Sequence, residues 1–155
     1  MLNNIQEFIH IHYKLFKLLF RAVKKGYLHD IGWINSYKTQ TPVNINFQPI
    51  PWVTYSFISY IENRLNKSMN IFEFGSGNST LYYGEKVNHV ISVEHDKNWF
   101  EKLLENVPEN VQLIHCELQY GGDYCKTIVS TDSKYSIIIV DGRDRVNCIL
   151  NSTSS

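Results

Sequence analysis

The chain has 155 residues, 43% of them hydrophobic and 19% charged. That composition excludes a disordered tail, and the length suits one domain able to bury roughly 70% of the surface its unfolded form exposes. Fifteen Lys and Arg balance fifteen Asp and Glu, which argues against nucleic-acid binding driven by bulk charge. The balance is uneven: residues 1–25 carry five Lys/Arg and one Glu, residues 26–155 ten against fourteen. Three cysteines without a CxxC pair point to neither a disulfide framework nor a zinc knuckle. The histidines lack ligand spacing, so no metal site is expected. With no small-residue cleavage site near the start and no apolar run near the ~18 residues of a membrane span, the expected setting is cytoplasmic, peripheral to a membrane at most.

Residues 1–26 read as an N-terminal amphipathic helix. Glu7, His10, Lys14, Lys17, Arg21 and Lys24 recur in steps of three and four opposite a broad face of Ile5, Phe8, Ile9, Leu15, Phe16, Leu19, Phe20 and Val23. Two fates fit such a helix: packing on the domain with a solvated cationic edge, or weak contact with an anionic membrane surface. Residues 27–66 read as a connector and a helix. The connector holds Gly32, Pro42, Pro49 and Pro51 without a sustained period, and Thr54 can cap a helix running to about Asn66. Residues 67–150 alternate: strand Met69–Phe74, helix 79–86, strand Val90–Glu94, helix Lys97–Asn106, strand Val111–His115, helix Asp123–Ser130 and strand Tyr135–Val140. That order predicts an α/β, Rossmann-like parallel sheet with helices on both faces. The unbroken Ile137–Val140 run suits a strand buried on both sides. Residues 151–155 read as a Ser/Thr-rich tail.

Ligands of open parallel sheets bind at the carboxyl ends of the strands. The first strand ends in Glu73-Phe74-Gly75-Ser76-Gly77-Asn78-Ser79-Thr80, the second in Glu94-His95-Asp96, and the fourth in Asp141-Gly142-Arg143-Asp144-Arg145, while Glu117 follows the third. Gly75 and Gly77 allow a tight turn and close approach of a ligand to the backbone. A dinucleotide loop needs a third glycine where Thr80 stands, and Glu73 would oppose a pyrophosphate. S-adenosyl-L-methionine, with an ammonium, a sulfonium and a ribose, suits these acids better. Glu94 lies nineteen residues after Gly75 at a strand end, where a carboxylate can accept both ribose hydroxyls, with Glu117 near the adenine edge.

Together, Glu73–Thr80, Val90–Asp96 and Ile138–Asp144 resemble class I S-adenosylmethionine-dependent methyltransferases, in the wording of an uncharacterised bacterial subgroup that also carries a Pro-x-Pro-Trp-x-Thr-Tyr segment, here Pro49–Tyr55. The resemblance implies cofactor binding by Glu73, Phe74, Gly75, Ser76, Gly77, Glu94, His95 and Glu117, and a catalytic or positioning role for Asp141. Ser79 replaces a glycine common in the wider family. The family sheet has seven strands, ordered 3-2-1-4-5-7-6. This chain supplies four, in the order 3-2-1-4, and one turn of the next helix, which implies an incomplete methyltransferase with Ile137–Val140 as an exposed edge. Impaired transfer, and self-association or a partner chain, are expected to follow. The acceptor, a small molecule or a glycan, is not identified by any residue.

Blander roles stand beside these. Gly75 and Gly77 also suit a plain strand-to-helix turn, and Glu94 and Glu117 solvated loop positions. Asp141 also suits a helix cap, and His95 the surface. Arg143 and Arg145 suit either a substrate carboxylate or phosphate, or a solvated helix start. Cys148 suits an apolar helix face, and Trp52 and Tyr55 the core rather than a substrate lid. The competing functions are a non-catalytic cofactor-binding module, and a dinucleotide enzyme that Glu73 and Thr80 oppose.

Overall fold

A computed structural model describes residues 2–131 and 133–153, with side chains from residue 8 onward. Its elements run α1 (Leu2–Lys24), α2 (Tyr27–Asp30), α3 (Trp33–Thr39), α4 (Tyr55–Glu62), β1 (Asn70–Phe74), α5 (Asn78–Lys86), β2 (His89–Glu94), α6 (Lys97–Leu104), β3 (Val111–His115), α7 (Asp123–Ser130), β4 (Ile137–Val140) and α8 (Arg145–Ser152). Two compact units divide the chain, one up to Pro49 and one from Ile50.

The first unit holds α1 to α3. Helices α2 and α3 stand where the sequence shows no apolar period, because side-chain hydrogen bonds hold this segment instead. Ser36 Oγ donates to Val43 O at 2.8 Å and Asn35 Nδ2 to Ile45 O at 3.0 Å. Asn44 Oδ1 accepts the amides of Asn46 and Gln48, the local bonding that makes Asn a turn residue. Gly32 joins the two helices at φ 82°, where a Cβ would lie 2.3 Å from the Asn44 carbonyl carbon.

The second unit is a four-stranded parallel sheet in the order β3-β2-β1-β4, as the sequence reading expects. The central strands are covered on both faces. Phe72, Phe74, Ile91 and Val93 pack against Tyr124, Cys125, Ile128 and Cys148. Ile71, Val90 and Val111 pack against Ile50, Tyr82, Tyr83 and Val87 on the other side. Side chains alternate across the pleat, so Glu73, one residue before Phe74, turns to the α5 side. Strand β4 is an edge among the described residues, and its four residues are each only partly buried. It begins at Ile137 rather than Tyr135, whose ring instead packs edge-on to Phe72 at 5.3 Å. Thr54 and Asp96 cap α4 and α6 by accepting the amides of Phe57 and Trp99.

Helix α8 continues through Asn151 and Ser152, which the sequence reading assigns to a tail; Ser154 and Ser155 lie outside the described residues. Asn151 Nδ2 and Ser152 Oγ donate to carbonyls one turn back, at 2.8 and 2.7 Å, so their polar groups are satisfied on the helix itself.

The ends of β1 and β4 meet backbone to backbone. A Cβ on Gly142 would sit 2.2 Å from the Tyr124 hydroxyl and 2.9 Å from the Gly75 amide nitrogen. Gly142→Ala should therefore cost about 1–3 kcal/mol of stability, the range for overpacking. Measured by urea unfolding, the cost should shrink in a Tyr124→Phe background, which removes the nearest atom. An equal cost in both backgrounds would show that the tyrosine is not what the methyl group meets.

Candidate functional site

The turn after β1 is built from Gly75, Ser76 and Gly77. Gly75 adopts φ 92°, a conformation side chains resist, and its amide extends the sheet by donating to Val93 O at 2.9 Å. The Ser76 amide donates to Glu94 Oε2 at 3.0 Å, its hydroxyl lies 2.8 Å from Ser92 Oγ, and its carbonyl accepts Trp99 Nε1 at 2.8 Å. The Gly77 amide donates to Thr80 Oγ1 at 2.9 Å. A Cβ on Gly77 would meet no atom within 4 Å, so that side of the turn is open.

Glu73 has no exposed surface. It accepts the hydroxyls of Ser79 at 2.6 Å, Ser92 at 3.0 Å and Thr80. Burial pushes its carboxyl up to about 7, against the pull of these three hydroxyls, and the charge of Asp141 adds to the rise. The sequence reading pairs Glu73 with a cationic cofactor group. The structure gives its oxygens to the chain itself, where they fasten the first turn of α5 to the sheet. Phe74 is likewise enclosed, its ring in the core beside Tyr124.

Glu94 is 4% exposed. Its Oε1 accepts the amides of His95 at 2.8 Å and Asp96 at 2.9 Å, while Oε2 holds Ser76. A carboxylate has about four lone-pair positions, so one on Oε2 stays open to a further donor. His95 Nδ1 approaches Glu94 Oε1 to 2.8 Å, and its ring stands edge-on to Tyr124 at 6.1 Å. Glu117 is exposed two residues beyond β3.

Asp141 is exposed at the end of β4 and pairs with Arg145 at 2.9 Å, while Arg143 is exposed. The capping position of α8 belongs to Asp144 instead. Asp144 is buried, with φ 51°, and accepts Gly121 N at 2.8 Å and Asn147 Nδ2 at 2.7 Å. Trp99, Ser92 and Tyr124 join the strand-end cluster beyond the residues the sequence motifs name, and Asp144 does so in a role the motif does not indicate. Asp144 lies in the Asp141–Arg145 motif, but the other three carry no local signal.

A groove of about 290 Å³ runs beside β4. Pro51, Trp52, Val53, Phe57 and Ile61 form one wall, Ile137 to Asp141 the other, and Ser79 and Tyr83 line it too. Trp52 is 77% exposed, whereas Tyr55 packs on the core. Ser79 links the groove to the network beneath the turn, since its hydroxyl is one of the three that Glu73 accepts.

No protein-family model and no curated protein matches the chain. Solved structures do. A methyltransferase-like protein of Silicibacter pomeroyi superposes with a TM-score of 0.57 at 24% identity, over 68% of this chain and 67% of that one. A precorrin-8W decarboxylase of Methanobacterium thermoautotrophicum superposes with a TM-score of 0.51 at 14% identity, over 75% and 63%. The chain thus has a methyltransferase-like, Rossmann-like fold, and spans about two thirds of the length of each neighbour.

Because the folded pKa of Glu73 lies above its ordinary value of 4.5, the folded state holds this proton more tightly than the unfolded state. Its contribution is complete below pH 4.5 and is lost as pH rises through about 7, a change on the order of 3 kcal/mol. Glu73→Gln, which keeps the shape and can still bond the hydroxyls, should flatten that part of the profile and exceed the wild type in stability above the window. Urea unfolding on either side of the window measures this. A profile unchanged by the substitution would mean that Glu73 does not titrate there.

Proposed function

We propose that the chain binds S-adenosyl-L-methionine at the Gly75–Gly77 turn and transfers its methyl group to an acceptor lying in the groove beside Asp141. The observation that carries this reading is the Glu94 carboxylate drawn against the Ser76 amide, beside a turn whose Gly77 side is open. No Lys or Arg occurs from Met69 to Glu85, and Arg145 at the neighbouring β4 end is engaged by Asp141, so a pyrophosphate would find acids at the turn and no cation within its own segment. A cofactor bearing ammonium and sulfonium groups meets the field it needs, and the residues fit it.

When bound, the cofactor supplies an electrophilic methyl group. The chain supplies position. The open lone pair on Glu94 Oε2 is available to a ribose hydroxyl. His95 and Glu117 stand at the ends of the neighbouring strands, on the side that would receive the adenine. Asp141, exposed at the groove, can orient an acceptor or take up its proton. The apolar walls from Pro51 to Ile61 hold the acceptor and exclude water, which makes alignment the main contribution to rate. A non-catalytic cofactor-binding module is the second reading, favoured by the Asp141–Arg145 pair, which engages the one carboxylate placed for acceptor chemistry.

Calorimetry with S-adenosylhomocysteine should show binding to the wild type and none of NAD. Glu94→Ala should weaken it by about 1.5–3 kcal/mol, the scale of a hydrogen bond to a charged group. Glu94→Gln, which can still accept the Ser76 amide, should bind in between. Undiminished binding by a folded Glu94→Ala chain would remove Glu94 from the cofactor site, and tighter binding of NAD would point to a dinucleotide instead.

A further inference from the structure

The excess of positive over negative charge lies in the α1 segment, where residues 1–25 carry five Lys/Arg against one Glu. From Phe8 to Lys25 there is no acidic residue. His10, Lys14, Lys17, Arg21 and Lys24 fall on one stripe, roughly a quarter of the circumference at about 3.6 residues per turn. The rest of the surface is almost wholly apolar, interrupted by His12, and none of it is buried from Phe8 to Lys24. Phe8, Phe16, Leu18 and Leu19 are each more than 60% exposed. A helix packed on its own domain hides such a face, and a continuous exposed one marks a surface that binds something.

We propose that α1 lies in the plane of an anionic lipid bilayer, apolar face down. Charge complementarity selects this occupant. The cations flank the apolar arc and reach over it: Lys17 Nζ lies 4.7 Å from the Tyr13 ring centre and Lys24 Nζ 4.5 Å from that of Phe20. Long side chains at such a boundary keep their heads among phosphates while their stems lie on the acyl surface. A second copy of α1 fits less well. It would bring two cationic edges together with Glu7 as the one acid of each helix to pair four Lys/Arg, and a helix pair needs only a narrow seam, not an apolar arc of more than half the circumference. None of the described helices is long and apolar enough to cross a membrane, which agrees with an in-plane position.

Co-sedimentation of the full chain with vesicles tests this. Vesicles of equal parts phosphatidylcholine and phosphatidylserine should bind it, and pure phosphatidylcholine much less. Each Lys or Arg near an anionic surface contributes about fivefold. Replacing Lys14, Lys17, Arg21 and Lys24 together by Gln should therefore lower binding by roughly a hundredfold or more, and added salt should weaken the wild type in the same direction. Phe16→Ser with Phe20→Ser should also abolish binding, while both variants keep the circular dichroism and thermal unfolding of the second unit. Equal binding to both vesicle types, or none to either, overturns the proposal. A dimer by light scattering that the double Phe variant dissociates, together with no vesicle binding, would assign the face to a second copy.

Discussion

A carboxyl group closed off from solvent organises the carboxyl end of this sheet. Glu73 sits on the central strand and takes its hydrogen bonds from three places: Ser92 on β2, and Ser79 and Thr80 on the first turn of α5. Thr80 passes the connection on to the Gly77 amide, and Ser92 to the Ser76 hydroxyl. An acid without partners at that depth would cost several kcal/mol. With three hydroxyl donors the cost falls, and the bonds fix where α5 starts and how the turn between it and β1 must run. The open side of Gly77 and the position of Ser76 are consequences of that arrangement. Raising the carboxyl to about 7 is what remains of the burial penalty.

The strand ends were legible because each rests on a local pattern, and the strand order because the motifs at those ends resemble a family whose sheet begins 3-2-1-4. An unbroken apolar run such as Ile137–Val140 suits a strand packed on both faces, although as an edge its four residues are only partly buried, and an acid or glycine directly after such a run falls at the sheet's carboxyl end. Where a side chain points was less legible. Glu73 and Glu94 both stand at strand ends, yet one is sealed beneath the turn and the other reaches its side. The difference lies in Ser79, Thr80 and Ser92, hydroxyl residues at unrelated spacings that only the folded sheet brings together. The segment from Tyr27 to Thr39 was missed for a related reason. Helix α3 is held by Ser36 and Asn35 reaching a loop several residues on, and pattern reading detects apolar periods rather than such bonds. Asp141 and Asp144 show the same limit. Both suit a cap by type, but the left-handed residue Asp144 takes that position and Asp141 is left at the surface.

Turn and groove are mechanically one piece. Ser79 belongs to the groove lining and to the Glu73 network at once, and Gly142, next to Asp141, lies against the backbone of Gly75. A ligand that presses on the turn therefore presses on the β4 end, and an occupant of the groove rests on the helix that Glu73 holds. Close packing of backbone against backbone leaves little room for either loop to move alone, the rigidity that the proposed methyl transfer requires.

Three acids at neighbouring strand ends divide the work by burial. Glu73 is enclosed and spends its oxygens on the scaffold. Glu94 is almost enclosed and spends three lone pairs on backbone amides, keeping one. Asp141 is exposed and is held only by Arg145, a surface pair of the kind that contributes between zero and about 1 kcal/mol. The cost of breaking each carboxylate away from the chain falls in that order, and its availability to a ligand rises in the same order. Such a gradient lets one end of a sheet be rigid at its centre and reactive at its rim. A cationic ligand gains from Glu94 and Asp141, whereas an anionic one would have to draw Arg145 away from Asp141 or bring its own counterion.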